Sequence, residues 1–294
     1  MCFYGEIMEK QENKLRALDA LTVYMISLTV SALIGVLAYK FIGLPALYLQ
    51  EILALVPAVF VAKKTRLKSS AWLKFKSNPP RESLGGAMIY AASVLCAIPV
   101  LLWVQIIAPD FAVSCFHITD ALEGHSLKYL HIILLIIISG VSEALIFEGY
   151  IYARLKKFGS PLRVCLLISA AYALFQLDLY TLVPLFIIEM GIIYVRMKTK
   201  SLILPVSLHI ISATLALAVK DFATDTSQLL GTQIGALQVS GLLMIFAGAA
   251  IPTVMAGLGL MGDFRKRPLL HKAVILFAAV VLIGVGYAVT RSQG

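Results

Sequence analysis

Nine apolar runs, at about 18–39, 46–62, 84–107, 130–153, 162–179, 182–195, 201–219, 236–259 and 270–289, recur along the chain with short polar connections between them. Runs of this length and continuity predict helices that cross a bilayer, whose ~30 Å hydrocarbon core takes about 20 apolar residues. The runs at 46–62, 162–179 and 182–195 are short for that distance. The pattern therefore predicts an all-α polytopic membrane protein with eight or nine transmembrane helices, eight if one run is re-entrant. It divides into N-terminal membrane helices at 1–129 with a basic inner loop at 63–81, a core bundle at 130–219 and C-terminal packing helices at 220–294.

Composition and charge sharpen this picture. With 294 residues, 60% hydrophobic and only 14% charged, the chain is not a pair of soluble domains. The net charge of +9 would suit nucleic acid, but its placement follows membrane topology instead, so no nucleic-acid partner is expected. With a cytoplasmic N-terminus, 21 of the 25 lysines and arginines fall on the inner side, and only Lys40, Lys128, Lys220 and Arg291 fall outside. The start, MCFYGEIMEKQENK, is too polar for a secretory signal, so the first run reads as a retained span. Cys2, Cys96, Cys115 and Cys165 have no CxxC or metal-ligand spacing.

The connections carry less chemistry. Residues 63–81 interleave Trp72, Leu73 and Phe75 with lysines, which predicts an interfacial segment against anionic lipid, with substrate docking as the alternative. His117, Asp120, Glu123 and His125 in the following outer loop form a weak metal pattern with no scaffold under it. Gly241, Gly248, Gly257 and Gly259 predict close helix packing in the last third. No phosphate loop, dinucleotide fingerprint or HExxH is present.

The chemistry concentrates in LHIILLIIISGVSEALIFEGYIYARL, residues 130–155. Ionisable groups inside a spanning helix are functional candidates, because an unpaired charge in hydrocarbon is costly. Glu143 lies roughly 15 Å from the inner helix end and Glu148 roughly half that. Five positions apart on an α-helix, they should line adjoining walls of a cavity more easily than bond one partner. Glu189 in the sixth run and His209 in the seventh fall at similar depth. The expectation is that Glu143, Glu148 and His209 face a common cavity open to the inner side, with Glu189 at its wall; the bland alternative is hydrogen bonding across helices.

The stretch from Ile132 to Leu217 resembles the core of the CPBP family, the intramembrane proteases that include the type II CAAX prenyl endopeptidases and the bacteriocin-processing and bacteriocin-immunity proteins. The family's first motif, two glutamates and then Phe-Arg-Gly, meets Glu143, Ala144, Leu145, Ile146, Phe147, Glu148 and Gly149 here. Its second, a phenylalanine with a histidine four residues on, meets Phe175 and Leu179. Its third, a histidine followed four residues later by asparagine or aspartate, meets His209 and Ala213. Asp178, beside the missing histidine, points about 100° away on an α-helix. The resemblance implies a CPBP-type bundle in a prokaryotic plasma membrane. It also implies a site in which a glutamate activates water, histidines position it and an amide supports the oxyanion. On that reading the catalytic positions are Glu143 and His209, with Glu148 standing where an arginine belongs. Ala144, Leu179 and Ala213 remove three of the family's groups.

Three functions are therefore open. The first is a CPBP-like membrane protein with impaired or lost proteolysis and a scaffold, immunity-like or regulatory role. The second is an active endopeptidase that uses Glu143 to activate water, with a divalent metal such as zinc as the cofactor of a rearranged site. The third is a proton or small-solute transporter, against which the lack of paired repeats counts. The expected partners are the lipid bilayer and a membrane protein or peptide.

Overall fold

The structure is a computed structural model that describes residues 2–43, 45–107, 127–215, 236–263 and 268–291, with the side chains of most of these from residue 11 onward. Every regular element among the described residues is helical. Helix α1 is Cys2–Leu33 and passes through a π-helical segment, Ile34–Ala38, into a last turn, Tyr39–Ile42. Helix α2 is Pro45–Lys64, and a single turn at Ser69–Trp72 leads to α3, Pro80–Ile107. Helix α4 runs from Lys128 to Leu155, α-helical over Lys128–Ala144, π-helical over Leu145–Ile151 and α-helical again over Tyr152–Leu155. Then follow α5 (Pro161–Phe175), α6 (Leu182–Thr199), α7 (Ile203–Leu215), α8 (Ala236–Leu260) and α9 (Leu269–Arg291).

Among the described residues, each of the nine apolar runs thus contains a helix. Six stretches, in α1, α2, α3, α4, α8 and α9, are long and apolar enough to cross a membrane, which makes this an integral membrane protein by length and composition. Helices α5 and α7 are apolar but shorter, and α6 ends in the basic turn that holds Arg196 and Lys198. Among the described residues six stretches meet the length and hydropathy of a full span, fewer than the eight or nine crossings expected. The outer loop with His117, Asp120, Glu123 and His125 lies outside the described residues.

The helices form two compact units that interleave along the chain. The first comprises α1, α2, α4, residues 161–171 of α5, and α7 up to Thr214; α3, α6, α8, α9 and the end of α5 belong to the second. In the first unit α2 turns its small residues inward. Ala54, Ala58 and Ala62, four apart and so on one face, are buried, while Val56, Val59 and Phe60 are exposed. That arrangement suits lipid, where bulky apolar side chains need no shelter and small ones let backbones approach. Polar side chains then cross the narrow gap. Ser27 of α1 donates to the Ala54 carbonyl at 2.7 Å, and the Gln50 amide donates to Ser31 at 3.0 Å. The Tyr48 hydroxyl lies 2.7 Å from Nδ1 of His131, tying α2 to the start of α4.

The basic connection after α2 is more structured than a segment lying on lipid. The Leu202 N–H donates to the Lys74 carbonyl at 2.8 Å, the Lys76 N–H donates to the Ser201 hydroxyl at 3.3 Å, and that hydroxyl donates back to the Lys76 carbonyl. Trp72 is buried, edge-on to Tyr150 at 6.1 Å between ring centres. The interfacial expectation is thus corrected for Trp72, whereas Phe75 and the lysines around it are exposed. The physical reason is Gly149: a methyl group there would stand 3.3 Å from the Trp72 carbonyl oxygen, so only a small residue admits the connection so close to α4. Arg154 is likewise not a loose inner cation. It is buried at the end of α4, 3.3 Å from Asp19 of α1, and it donates to the Tyr150 hydroxyl at 3.3 Å and to Thr65.

In the second unit the expected glycine packing is present, with one exception. A methyl group added at Gly241 would lie 2.7 Å from the Gly286 carbonyl oxygen, at Gly248 2.8 Å from that of Ala279, and at Gly257 2.8 Å from that of Gly85. Gly259 has nothing within 4 Å of such a methyl, and its contact is instead a carbonyl that accepts from Arg81 at 3.1 Å. Beyond α8, Asp263 joins Lys198 at 2.5 Å and accepts a hydrogen bond from Tyr194. Burial works to raise the Asp263 carboxyl, but Lys198 and Tyr194 outweigh it and hold the group below its ordinary range.

Two outcomes are expected. Gly248→Leu should lower the stability of the folded protein in detergent by roughly 1–3 kcal/mol, because the side chain meets backbone that cannot yield, while Gly259→Leu should stay within about 0.5 kcal/mol. Equal losses in thermal unfolding would contradict the packing described. Asp263→Asn should lose less than about 1 kcal/mol at neutral pH, since the pair is part-exposed. A carboxyl lowered by folding stabilises above its unfolded value, so the difference between parent and variant should shrink as pH falls below about 4 and vanish once Asp263 is protonated in both states.

Candidate functional site

Close approach of two helices builds the site. A methyl group at Gly140 of α4 would lie 3.0 Å from the backbone nitrogen of Ile210 and 2.8 Å from its Cγ1, so α7 packs almost backbone to backbone against α4. His209, one residue earlier on α7, is thereby carried into α4. Its Nδ1 stands 3.3 Å from Glu143 Oε2, and its Nε2 stands 3.1 Å from Glu148 Oε2. Ser139, one turn before Glu143, donates to Glu143 Oε1 at 3.3 Å. The side chains of His209 and Glu148 are 1% and 0% exposed, and Glu143 keeps 13%.

One expectation is corrected here. Glu143 and Glu148 share a partner, although five positions on a regular α-helix would point them apart. The cause is local: between them the helix widens at Leu145 into a π segment, whose i→i+5 bonding brings residues five apart toward one face. Opposite edges of the imidazole then let both carboxylates reach the same ring.

The chemistry of this arrangement is constrained. A neutral imidazole has one donor and one acceptor nitrogen, and an ionised carboxylate only accepts. Both contacts are hydrogen-bonded only when the ring carries two protons or when one glutamate carries one. In either case a proton sits in each contact, and each ring nitrogen is directed at a carboxylate. Burial makes this matching important, because a buried charge left without a partner costs several kcal/mol.

A metal ion is a second use of the same atoms. Nε2 of His209 and Oε2 of Glu148, 3.1 Å apart, are spaced as neighbouring ligands of one ion. Glu143 at Nδ1 is placed like the carboxylate that orients a ligating imidazole. These groups of the first unit fit a zinc ion as two ligands and an orienting acid, one ligand short of a three-ligand catalytic set.

The other positions fall as follows. Ala144 is buried and Ala213 is part-buried, and each offers only a methyl group. Helix α5 ends at Phe175, and Leu179 lies in the turn beyond it, 72% exposed. Asp178 accepts the Tyr180 N–H at 2.9 Å and the Thr181 hydroxyl at 2.7 Å, so it caps the entry to α6. Glu189 is buried on α6, in the second unit.

Two groups, one beside the site and one at the far end of α4, escape motif reading. Glu51 of α2 has Glu143 and Ser139 of α4 as its interacting neighbours. His131, at the start of α4, meets Tyr48. The signal for Glu51 was present, as a lone carboxylate inside the apolar run at 46–62, which deserves the scrutiny owed to any intramembrane acid.

Residues 125–215, just under a third of the chain, match the family model for Rce1-like type II CAAX prenyl endopeptidases. No curated protein matches the chain, and neither does any solved structure. The match opens just before α4 and closes with α7, so it takes in Glu143, Glu148 and His209 together with the substituted positions Ala144, Leu179 and Ala213. The stretch that builds this site is thus similar to the Rce1-like type II CAAX prenyl endopeptidases.

Proposed function

We propose that this CPBP-like membrane protein does not cleave peptides by the family's usual route and serves instead as a membrane scaffold, an immunity-like factor or a regulatory partner of another membrane protein or peptide. The observation that carries this reading is His209, which has a carboxylate at each ring nitrogen. Peptide hydrolysis of the implied kind needs a base with a free path to water, imidazoles that position that water, and a donor for the oxyanion. Here the glutamate in the arginine position occupies one edge of the histidine and Glu143 occupies the other. Leu179 and Ala213 supply neither a second imidazole nor an amide. Loss of one oxyanion donor alone costs about 3–4 kcal/mol in the transition state. In the proposed topology the N-terminus and the basic connection at 63–81 are cytoplasmic, as the distribution of lysine and arginine supports.

A second reading, an active endopeptidase with Glu143 as base, is favoured by one feature. Glu143 alone of the three retains exposure, at 13%, and a partner hydroxyl at Ser139 steadies it. The two readings separate by experiment. The purified protein is incubated in bilayers with a membrane-peptide library, with and without zinc, beside Glu143→Gln. Equal silence of both is expected; cleavage by the parent that Glu143→Gln abolishes would establish the second reading and end the first.

A further outcome follows if the cluster serves the fold. His209→Ala should lower stability in detergent by roughly 3–5 kcal/mol, because it strands two buried acids, and Glu148→Gln should cost less, because an amide still bonds the ring. The measurement is thermal or denaturant unfolding followed by circular dichroism. A His209→Ala protein as stable as the parent would remove the structural role.

A further inference from the structure

The first unit carries a groove on its outer surface that the site does not use. Ile26, Val30 and Ile34 of α1 form one wall, and Leu53, Val56, Pro57, Phe60 and Val61 of α2 form the other, enclosing about 420 Å³. The volume falls within the range of small-molecule pockets, yet no lining side chain is polar. The same two helices are joined by the Ser27–Ala54 and Gln50–Ser31 hydrogen bonds. An apolar ligand is therefore the only kind the walls can hold, and in a membrane that ligand is an acyl chain.

The headgroup chemistry is set by what lies at one end of the groove. On α2 the lining residues recur at helical spacing, and Lys63 and Lys64 follow Phe60 by three and four positions, so they continue that face within one turn. Both are exposed. Arg66, Lys68, Lys74 and Lys76 follow, also exposed, and residues 63–81 contain no aspartate or glutamate. On α1 the one acid between Glu12 and Leu33 is Asp19, which Arg154 engages. Nothing on these two faces opposes a negative headgroup.

We propose that the α1–α2 groove holds one anionic diacyl phospholipid, with an acyl chain against Val30, Val56 and Phe60 and its phosphate at Lys63 and Lys64. The acyl chain explains the groove, and the phosphate explains why a basic cluster continues its face. Bound there, the lipid braces the helix pair whose second member presents Glu51 and Tyr48 to α4.

The test uses the full chain, purified in a neutral detergent and examined by native mass spectrometry with phosphatidylglycerol or phosphatidylcholine. The parent should retain one phosphatidylglycerol in preference to phosphatidylcholine. The double variant Lys63→Gln, Lys64→Gln should weaken that retention roughly 30-fold, about fivefold for each lysine. Val56→Trp, which fills the groove and leaves the lysines in place, should weaken it comparably, with circular dichroism confirming that each variant is folded. Glycerol phosphate, which has the headgroup charge and no acyl chain, should not compete. Equal retention of the two lipids, or unchanged retention in the lysine variant, would overturn the headgroup assignment. Competition by glycerol phosphate, or unchanged retention in folded Val56→Trp, would overturn the groove. If Val56→Trp is unfolded, Val30→Phe fills the groove from the facing wall, and unchanged retention in that protein is equally fatal.

Discussion

Burying charge in an apolar bundle is tolerable only where the charges meet one another, and the first unit is built around two such meetings on a single helix. Near the middle of α4, Glu143 and Glu148 enclose His209. At its end, Arg154 is enclosed by Asp19, Thr65 and Tyr150. Removing Asp19 leaves Arg154 buried without its acid, and removing His209 leaves Glu148 buried without its ring, which is the expensive case for buried ions. The neighbouring helices answer to these demands. Helix α7 must come within backbone contact at Gly140 for its histidine to arrive, α1 must deliver Asp19, and the connection after α2 must tuck Trp72 under Gly149.

Much of the fold could be read from hydrophobic length alone, because hydrocarbon thickness imposes nearly the same requirement on every span. Among the described residues all nine apolar runs contain a helix. The faces were harder to read. On α2 the buried side is alanine and the exposed side is valine and phenylalanine, the reverse of a water-soluble helix, so apolar periodicity does not mark the interior. The pairing of Glu143 with His209 was legible from depth and motif. The shared histidine was not, since the π segment that permits it leaves no compositional trace. Glu51 was hidden by lack of a motif, and Trp72 by its resemblance to an interfacial anchor.

The match to an Rce1-like family model and the altered motif residues sit on the same stretch, and physics reconciles them. A family model rewards helix order, spacing and apolar character, which the substitutions preserve. Ala144 and Ala213 are small, and Leu179 is exposed in a turn, so none of the three disturbs a helix contact. Glu148 differs from these three because it changes chemistry without emptying space: a carboxyl stands in the arginine position and meets the His209 ring at 3.1 Å. The frame of the family is compatible with a site whose polar contacts run between its own side chains.

The π segment at Leu145–Ile151 also works as a phase setting. A π turn is an α-helix that carries one residue more than its pitch allows, so everything beyond it is rotated by about 100° from where an unbroken helix would point it. Upstream of it, α4 is indexed to α7 through Gly140 and Glu143; downstream, it is indexed to α1 through Arg154 and to the basic connection through Gly149. Loss of a single residue between 145 and 151 would leave hydropathy, length and charge almost untouched. It would nonetheless put one of these two sets of contacts out of step with the other, so the spacing of this helix is held by angle as much as by composition.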